Sequence, residues 1–352
     1  MGQTVFQSIH PDRVLEAGFG KGFTKRRILN FYKLYYQKME EILPETYGIN
    51  RNFVRWLRES YSFPTLKVVS SQKDSEGNVK IGYQTHDGYW IEAVILARED
   101  ETSICISTQV GCKMGCAFCA TGKLGFTRNL ETWEIVEQVR LAKVHFLQGR
   151  ELTHITIMGM GEPFENFENM YDAFLTFTHP FTYMLGASKV TVASAGYLPG
   201  LRKLLEKQKK PSLVISLHAP NQEIREKLLP ISKTYSMEEV LDFIRSYPLK
   251  KNKRISVQYL LLKGINDSPE HADELGKLLQ GLPVKINFMR YNRVEGLGLE
   301  PVEEPVREYF IERLREYGFS CIRRRSAGEE ISAACGQLGL ERKRFQENLC
   351  YQ

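Results

Sequence analysis

Apolar residues recur along this chain in two rhythms, and the change from one to the other marks its parts. In "KRRILNFYKLYYQKMEEIL", residues 25–43, Ile28, Phe31, Leu34, Tyr35 and Met39 fall three or four apart. That spacing puts them on one face of a helix, and Arg51 to Leu57 repeats the character. From about Thr65 to Leu96 the apolar positions alternate instead, interrupted by the turn signals "SEGN" and "HDG", which predicts a small meander of strands. From about Ser103 onward, short runs rich in Val, Ile and Leu are separated by longer amphipathic stretches. The runs are "SICIST", "HITIMGM", "KVTVAS", "SLVISLH", "RISVQYLLL" and "VKINFMRY". Helical stretches between them include Thr132 to Leu147, Leu201 to Gln208, Met237 to Arg245 and Glu270 to Leu279.

Strands that are apolar on both faces and alternate with helices predict a parallel sheet built from right-handed crossovers, so the fold class is α/β. Six such units fit either a doubly wound sheet or a TIM-type barrel with fewer than eight strands. The residues of chemical character fall just past the C-terminal ends of different runs. A cysteine loop follows the first, "GEP" the second and "SAG" the third; Ser216 and His218 close the fourth, and Asn292 follows the sixth. In parallel α/β architectures that edge is where sites are built, so these signals converge on one mouth.

Composition narrows the class. No run approaches the length of uncharged apolar residues needed to span a bilayer, and the first residues lack the pattern of a secretory signal, so a cytosolic protein is expected. The net charge of +6 is modest, but it is concentrated at Lys25-Arg26-Arg27, Lys207 with Lys209 and Lys210, Lys250 to Arg254, Arg323-Arg324-Arg325 and Arg342-Lys343-Arg344. Such clusters are the footprint of phosphate-backbone binding, and each can equally be a solvated face. The expected division is an N-terminal helical RNA-binding domain over residues 1–62 and a strand-rich linker over 63–97. The core follows over 98–340, and a tail over 341–352.

Seven cysteines, at 105, 112, 116, 119, 321, 335 and 350, do not form a secreted disulfide framework, because four of them lie within fifteen residues and the number is odd. Reduced thiols that ligate metal or react are the expectation. In "GCKMGCAFCATG", Cys112, Cys116 and Cys119 have the spacing of a tight loop around three corners of an iron–sulfur cube. The fourth iron is then left open as a Lewis-acidic docking point. A zinc site borrowing Cys105 is the rival, but zinc ribbons usually use two CxxC pairs and no second pair is present. Cys321, in "FSCIRRR", reads as a small buried apolar residue.

The longer segment "GCKMGCAFCATGKLGFTRNL" resembles the cluster loop of the RlmN and Cfr family of radical S-adenosylmethionine (SAM) RNA adenosine methyltransferases. "MGMGEP" (158–163), "SLHAPN" (216–221), "GINDSPEHA" (264–272), "KINFMRYN" (285–292) and "AACGQL" (333–338) are similar to that family's segments, in its order. The resemblance implies a partial TIM-type (β/α)6 radical SAM barrel, with a small N-terminal helical domain and a short strand-rich linker. It implies a 4Fe-4S cluster on Cys112, Cys116 and Cys119, and two SAM molecules per turnover. Gly161, Glu162, Ser194, Ser216, Leu217, His218 and Asn292 are then expected to bind SAM, with Glu162 meeting its ammonium through a charge-assisted hydrogen bond.

Further roles follow from the same resemblance. Cys335 matches the thiol that receives a methyl group from one SAM; a 5′-deoxyadenosyl radical from the second then takes a hydrogen from that S-methyl group, and the methylene adds to adenine. Cys105 matches the thiol that releases the RNA by forming a disulfide with Cys335, and Glu92 matches the proton acceptor. The implied reaction is methylation of carbon 2 of an adenosine in 23S rRNA and possibly tRNA, with an electron donor of flavodoxin type. Pro163 in "GEPF" resembles the carbon 2 enzymes, whereas the Cfr type, which methylates carbon 8, tends to carry alanine. A non-catalytic, zinc-containing RNA-binding protein is the other reading. Two departures stand out: Ala193 takes the place of a family hydroxyl, with Ser194 expected to point to the opposite side of an extended strand, and Arg293 replaces a proline after Asn292.

Overall fold

A computed structural model describes residues 3–38 and 48–339 of the chain. Met39, the Arg342-Lys343-Arg344 cluster, Cys350 and the 341–352 segment lie outside the described residues.

The alternating and apolar runs join into a single ten-stranded sheet whose neighbours follow chain order without a break. The strands are β1 (Lys67–Lys73), β2 (Val79–Gln84), β3 (Trp90–Ala97), β4 (Thr102–Ile106), β5 (His154–Ile157), β6 (Val190–Ser194), β7 (Ser212–Ser216), β8 (Ile255–Leu261), β9 (Val284–Arg290) and β10 (Cys321–Arg323). Pairing is antiparallel from β1 to β4 and parallel from β4 to β10. The strands of residues 63–97 thus extend the barrel sheet itself at its antiparallel edge.

Each parallel neighbour is reached through a helical crossover, as the need to return to the same edge demands. The crossovers carry α4 (Thr132–Phe146), α5 (Phe167–Phe177), α6 (Leu198–Glu206), α7 (Gln222–Leu228) with α8 (Met237–Ser246), α9 (Pro269–Leu279) and α10 (Glu304–Glu316); α1 to α3 precede the sheet and are given below. Six strand–helix units match the expected count, and the short "FSCIRRR" segment supplies the seventh parallel strand. Local chemistry sets the starts: the hydroxyls of Ser236 and Ser268 accept from the backbone N–H groups of Glu239 and His271, each at 3.3 Å, capping α8 and α9. β8 is buried at every residue, as a central strand covered on both faces must be.

The N-terminal part holds α1 (Pro11–Gly20), α2 (Lys25–Gln37) and α3 (Arg51–Ser60). Its aromatic stripe faces inward, with Phe6, Phe31, Tyr32 and Phe53 all within 1 % of full burial. The stripe is therefore core, and the basic side of the helices is what remains for a partner. This part packs on α4 around a buried ion pair internal to that helix, which Gln7, Thr65 and Tyr35 contact. Arg140 donates to both oxygens of Glu137, at 2.5 and 2.8 Å, and its guanidinium lies 4.9 Å from the Tyr35 ring. Gln7 and Thr65 donate to the same carboxylate at 3.1 and 3.0 Å, so the buried charge is fully hydrogen-bonded. Among the described residues no helix is long and apolar enough to cross a membrane.

Candidate active site

The C-terminal ends of β4 to β9 enclose a cavity lined by the cluster-loop cysteines, "GEP", the β6 end, Ser216, His218 and the Cys335 loop. Cys112, Cys116 and Cys119 are free thiols on its wall. Their loop is fixed by its backbone. Cys112 N–H donates to Gly125 carbonyl at 2.8 Å, Ala117 N–H to Leu228 carbonyl at 3.0 Å and Ala120 N–H to Gly336 carbonyl at 2.7 Å. Gly111 has a φ of +77°, and a Cβ there would stand 1.9 Å from the Gly125 carbonyl oxygen, so only glycine fits. The ribbon formed by residues 109–111 and 126–129 is clamped from outside, because Arg128 makes paired hydrogen bonds of 2.7 to 2.8 Å to both Asp87 and Glu134.

The donor set suits a cluster better than zinc. Three thiolates on one zinc ion would have sulfurs about 4 Å apart, from tetrahedral geometry and zinc–sulfur bonds of about 2.3 Å. Among the described residues, the donor sets whose ligand atoms all fall within 4.8 Å of one another are His10–Asp12–His179 and His86–Asp87–Glu134; the three cysteines are not so compact. They are still near enough for Cys116 to feel the charge of both the others and Cys112 that of Cys119. Burial pushes the Cys112 thiol up to about 12 and raises Cys116 and Cys119 as well, so the thiolates need a cationic group to form.

Glu162 is the second feature that asks for a ligand. It is buried, and among the described residues no cation lies beside it: Oε1 accepts from Phe164 N–H at 3.1 Å and Oε2 from Ala195 N–H at 2.8 Å. Burial pushes its carboxyl up to about 7, against the pull of those bonds and of Ser194. Gly161 makes the approach possible at a φ of +107°, and a Cβ there would meet the Gln109 side chain at 2.6 Å. Gln109 in turn accepts from Glu162 N–H at 2.8 Å.

Burial alternates along β6 through its last residue, Ser194, yet both Ala193 and Ser194 line the cavity at this strand end, where the chain turns through Gly196 at a φ of +105°. The Ser194 hydroxyl accepts from Gly196 and Tyr197 N–H groups at 3.0 and 3.3 Å and donates to Glu162, so it holds the carboxylate in place.

His218 sits in the left-handed region with a φ of +57°, costly for a residue with a Cβ. Asn266, from the "GINDSPEHA" segment, holds it there, donating to the His218 and Leu260 carbonyls, each at 2.7 Å, and accepting from Leu262 N–H at 2.8 Å. Nδ1 of His218 accepts from Leu260 N–H at 3.0 Å, which leaves the hydrogen on Nε2. Burial and the Arg225 charge lower its titration to about 3, so the ring is neutral and Nε2 is a donor at physiological pH. The Ser216 hydroxyl donates to Gln258 at 3.3 Å on the same wall. Leu217 does not join them: its side chain lies in the core and its N–H is used by the Gln258 carbonyl.

Cys335 also lines the cavity, on an exposed loop position. Asn292 donates to the Cys335 carbonyl at 3.3 Å while its own Oδ1 is buried without a partner. Gln337 donates to Arg293 carbonyl at 3.0 Å and Thr121 to Leu338 carbonyl at 2.7 Å, so the loop rests on both the β9 end and the cluster loop. Glu92 is buried rather than on a solvated face: it accepts from Trp90 Nε1 at 3.0 Å and from Gly339 N–H at 2.8 Å. It therefore abuts the Cys335 loop without lining the cavity. Cys105, on β4, also lies outside the lining, yet its thiol is close enough to feel the Cys335 charge; burial pushes it up to about 12. Gln109, Arg225 and Gln258, which brace the site, carry no motif of their own, and Asn266 lies in the "GINDSPEHA" segment with no role assigned to it there. The signal available in sequence is a lone amide inside an apolar run, as with Gln258 in "RISVQYLLL".

Comparison with known proteins agrees with this geometry. Residues 106–275 match the model of the radical SAM superfamily. A protein of Nautilia profundicola described as dual-specificity RNA methyltransferase RlmN is 33 % identical, covering 96 % of this chain and 98 % of its own. One of Wolinella succinogenes with the same description is 36 % identical over 89 % of this chain and 91 % of its own. The crystal structure of a radical SAM methyltransferase from Sphaerobacter thermophilus superimposes with a TM-score of 0.87 at 30 % identity, covering 96 % of this chain and 99 % of that one. With the three-cysteine loop, the buried carboxylate and Cys335 in one cavity at the strand ends, these likenesses establish that the chain belongs to the RlmN family of radical SAM RNA methyltransferases.

Proposed function

We propose that this protein methylates carbon 2 of an adenosine in 23S rRNA, and in tRNA as well, through a methylated Cys335. The observation that carries the reading is that Cys335 lines the same cavity as Cys112, Cys116, Cys119, Glu162 and His218. A binding module would need no thiol facing a cluster site. In this reading Cys112, Cys116 and Cys119 hold a 4Fe-4S cluster. When bound, that group supplies the electron that splits SAM into methionine and a 5′-deoxyadenosyl radical.

The chain's own residues then have definite tasks. Glu162, a buried carboxylate without a cation among the described residues, holds the methionyl ammonium. His218 offers Nε2–H as a neutral donor, and Ser216 and Asn292 offer further polar contacts. Cys335 carries the methyl group into the cavity, which suits adenine carbon 2: that carbon is electrophilic and does not attack a sulfonium methyl directly. Cys105, on β4, takes part in the thiol exchange that frees the product, with Glu92 beside the loop as proton acceptor. Two SAM molecules per turnover, a flavodoxin-type donor and a cytoplasmic setting complete the proposal. Pro163 in "GEPF" supports carbon 2 over carbon 8.

The test is Cys335→Ala expressed in cells lacking their own enzyme, followed by mass spectrometry of total RNA. Wild-type protein restores 2-methyladenosine and the variant gives none. Persistence of the product in the variant overturns the thioether route, and an 8-methyl product from wild type overturns the position.

A further inference from the structure

Among the described residues Arg140 and Arg225 are the most deeply buried arginines, and their surroundings differ. Arg140 has its carboxylate, Glu137. Arg225, on α7, has none among the described residues: Nη2 donates to the carbonyls of Ala195 at 2.8 Å and Ser216 at 3.3 Å, Nη1 donates to the Ser232 hydroxyl, and Nε is buried without a partner. Burying a cation with no anion costs several kcal/mol, so a fold that keeps one has a negative charge to match it elsewhere.

Packing points to where that charge lies. The turn that ends α7 carries the cluster loop, through the Ala117–Leu228 hydrogen bond and a Cβ at Gly115 that would sit 3.8 Å from Pro230. The loop held in this way carries Cys116, one of the three thiols read as cluster ligands. Arg225 is also wired to the SAM side of the cavity. The Ala195 carbonyl accepts from Arg225 while the Ala195 N–H donates to Glu162, so one residue of the β6 end joins the cation to the buried carboxylate.

We propose that Arg225 is the buried countercharge of the iron–sulfur site, a positioning residue that makes one-electron reduction of the cluster easier while bracing the ends of β6 and β7. Three thiolates around a 4Fe-4S core leave it net negative, and reduction adds one more negative charge. A fixed cation nearby stabilises the reduced form more than the oxidised one. The electron comes from an external one-electron donor, and no bond or proton changes at Arg225.

The inference rests on the cluster being present, so iron and labile-sulfide analysis of wild-type protein comes first; a wild-type protein without them defeats the functional reading and this inference with it, whereas the titrations below test this inference alone. Cluster-loaded wild type, Arg225→Met and Arg225→Lys are then titrated anaerobically with dithionite and mediators, following the visible band and the paramagnetic signal of the reduced cluster. Arg225→Met should be about tenfold harder to reduce, a midpoint about 59 mV more negative for a one-electron couple, with Arg225→Lys close to wild type. Coincident midpoints in all three overturn the proposal. Should Arg225→Met fail to take up iron while Arg225→Lys loads, the charge is needed even for assembly, which supports it. Should Arg225→Lys also fail to load while retaining a native circular dichroism spectrum, guanidinium shape and not charge is what the site uses, and the proposal falls.

Discussion

The substitution Glu162→Gln in cluster-free protein isolates the cost of the buried carboxylate. In the fold the Glu162 carboxyl titrates at about 7, against 4.5 in the unfolded chain, and the cause is burial. Below pH 4.5 both states are protonated and the group adds nothing. Between 4.5 and 7 the folded state keeps a proton that the unfolded chain releases, so stability falls as pH rises, by about 1.4 kcal/mol per pH unit. Over about 2.5 units that amounts to about 3 kcal/mol, complete by pH 8. The amide of the variant cannot titrate. It also accepts from only one of the two backbone N–H groups, at Phe164 and Ala195, that now point at carboxylate oxygens, which costs about 1–3 kcal/mol at every pH. Urea unfolding of both proteins between pH 4.5 and 8 measures the difference. Wild type should be the more stable at low pH and lose about 3 kcal/mol relative to the variant by pH 8. A difference that stays flat across this range would refute a carboxylate held without a cation.

The remaining expectations concern the same walls. Gly161→Ala must relax a φ of +107° and displace the Gln109 side chain from 2.6 Å, so thermal unfolding should show a loss of about 2–3 kcal/mol and SAM binding should weaken with it. An unchanged melting temperature would mean the turn is free to move. Cys116→Ser should abolish the brown colour and labile sulfide while leaving the far-ultraviolet circular dichroism intact, because the loop is anchored by backbone hydrogen bonds to Gly125, Leu228 and Gly336 that do not involve the thiols. Retained colour would move the cluster elsewhere.

What could be read in advance follows from how local each signal is. The strands and most of the helices were legible because a sheet whose neighbours run in chain order asks only for the right period in each run; no long-range pairing has to be guessed. The cysteine loop was legible because its glycines and thiols lie within one turn of chain. The part Ser194 plays was only half legible: as the last residue of β6 it bonds to Glu162 instead of replacing the missing hydroxyl at Ala193, which strand alternation alone does not say. Leu217 was drawn in by its neighbours Ser216 and His218, although its side chain belongs to the core.

The bracing residues stayed hidden for a different reason. Each lies on one element and bonds to the backbone of another: Asn266 to His218, Gln109 to Glu162, and Arg225 to Ala195 and Ser216. A side chain that recognises a distant carbonyl or N–H leaves no trace in the partner's letter, since every residue offers the same groups. Parallel strands ending at one edge make this economical, because one polar residue beyond each strand meets the main chain of the next. The chemistry of the site is therefore written in a few motifs, whereas its rigidity is written in single amides and one guanidinium. Those are the positions where substitution should shift geometry and potential without removing any group that touches the substrate.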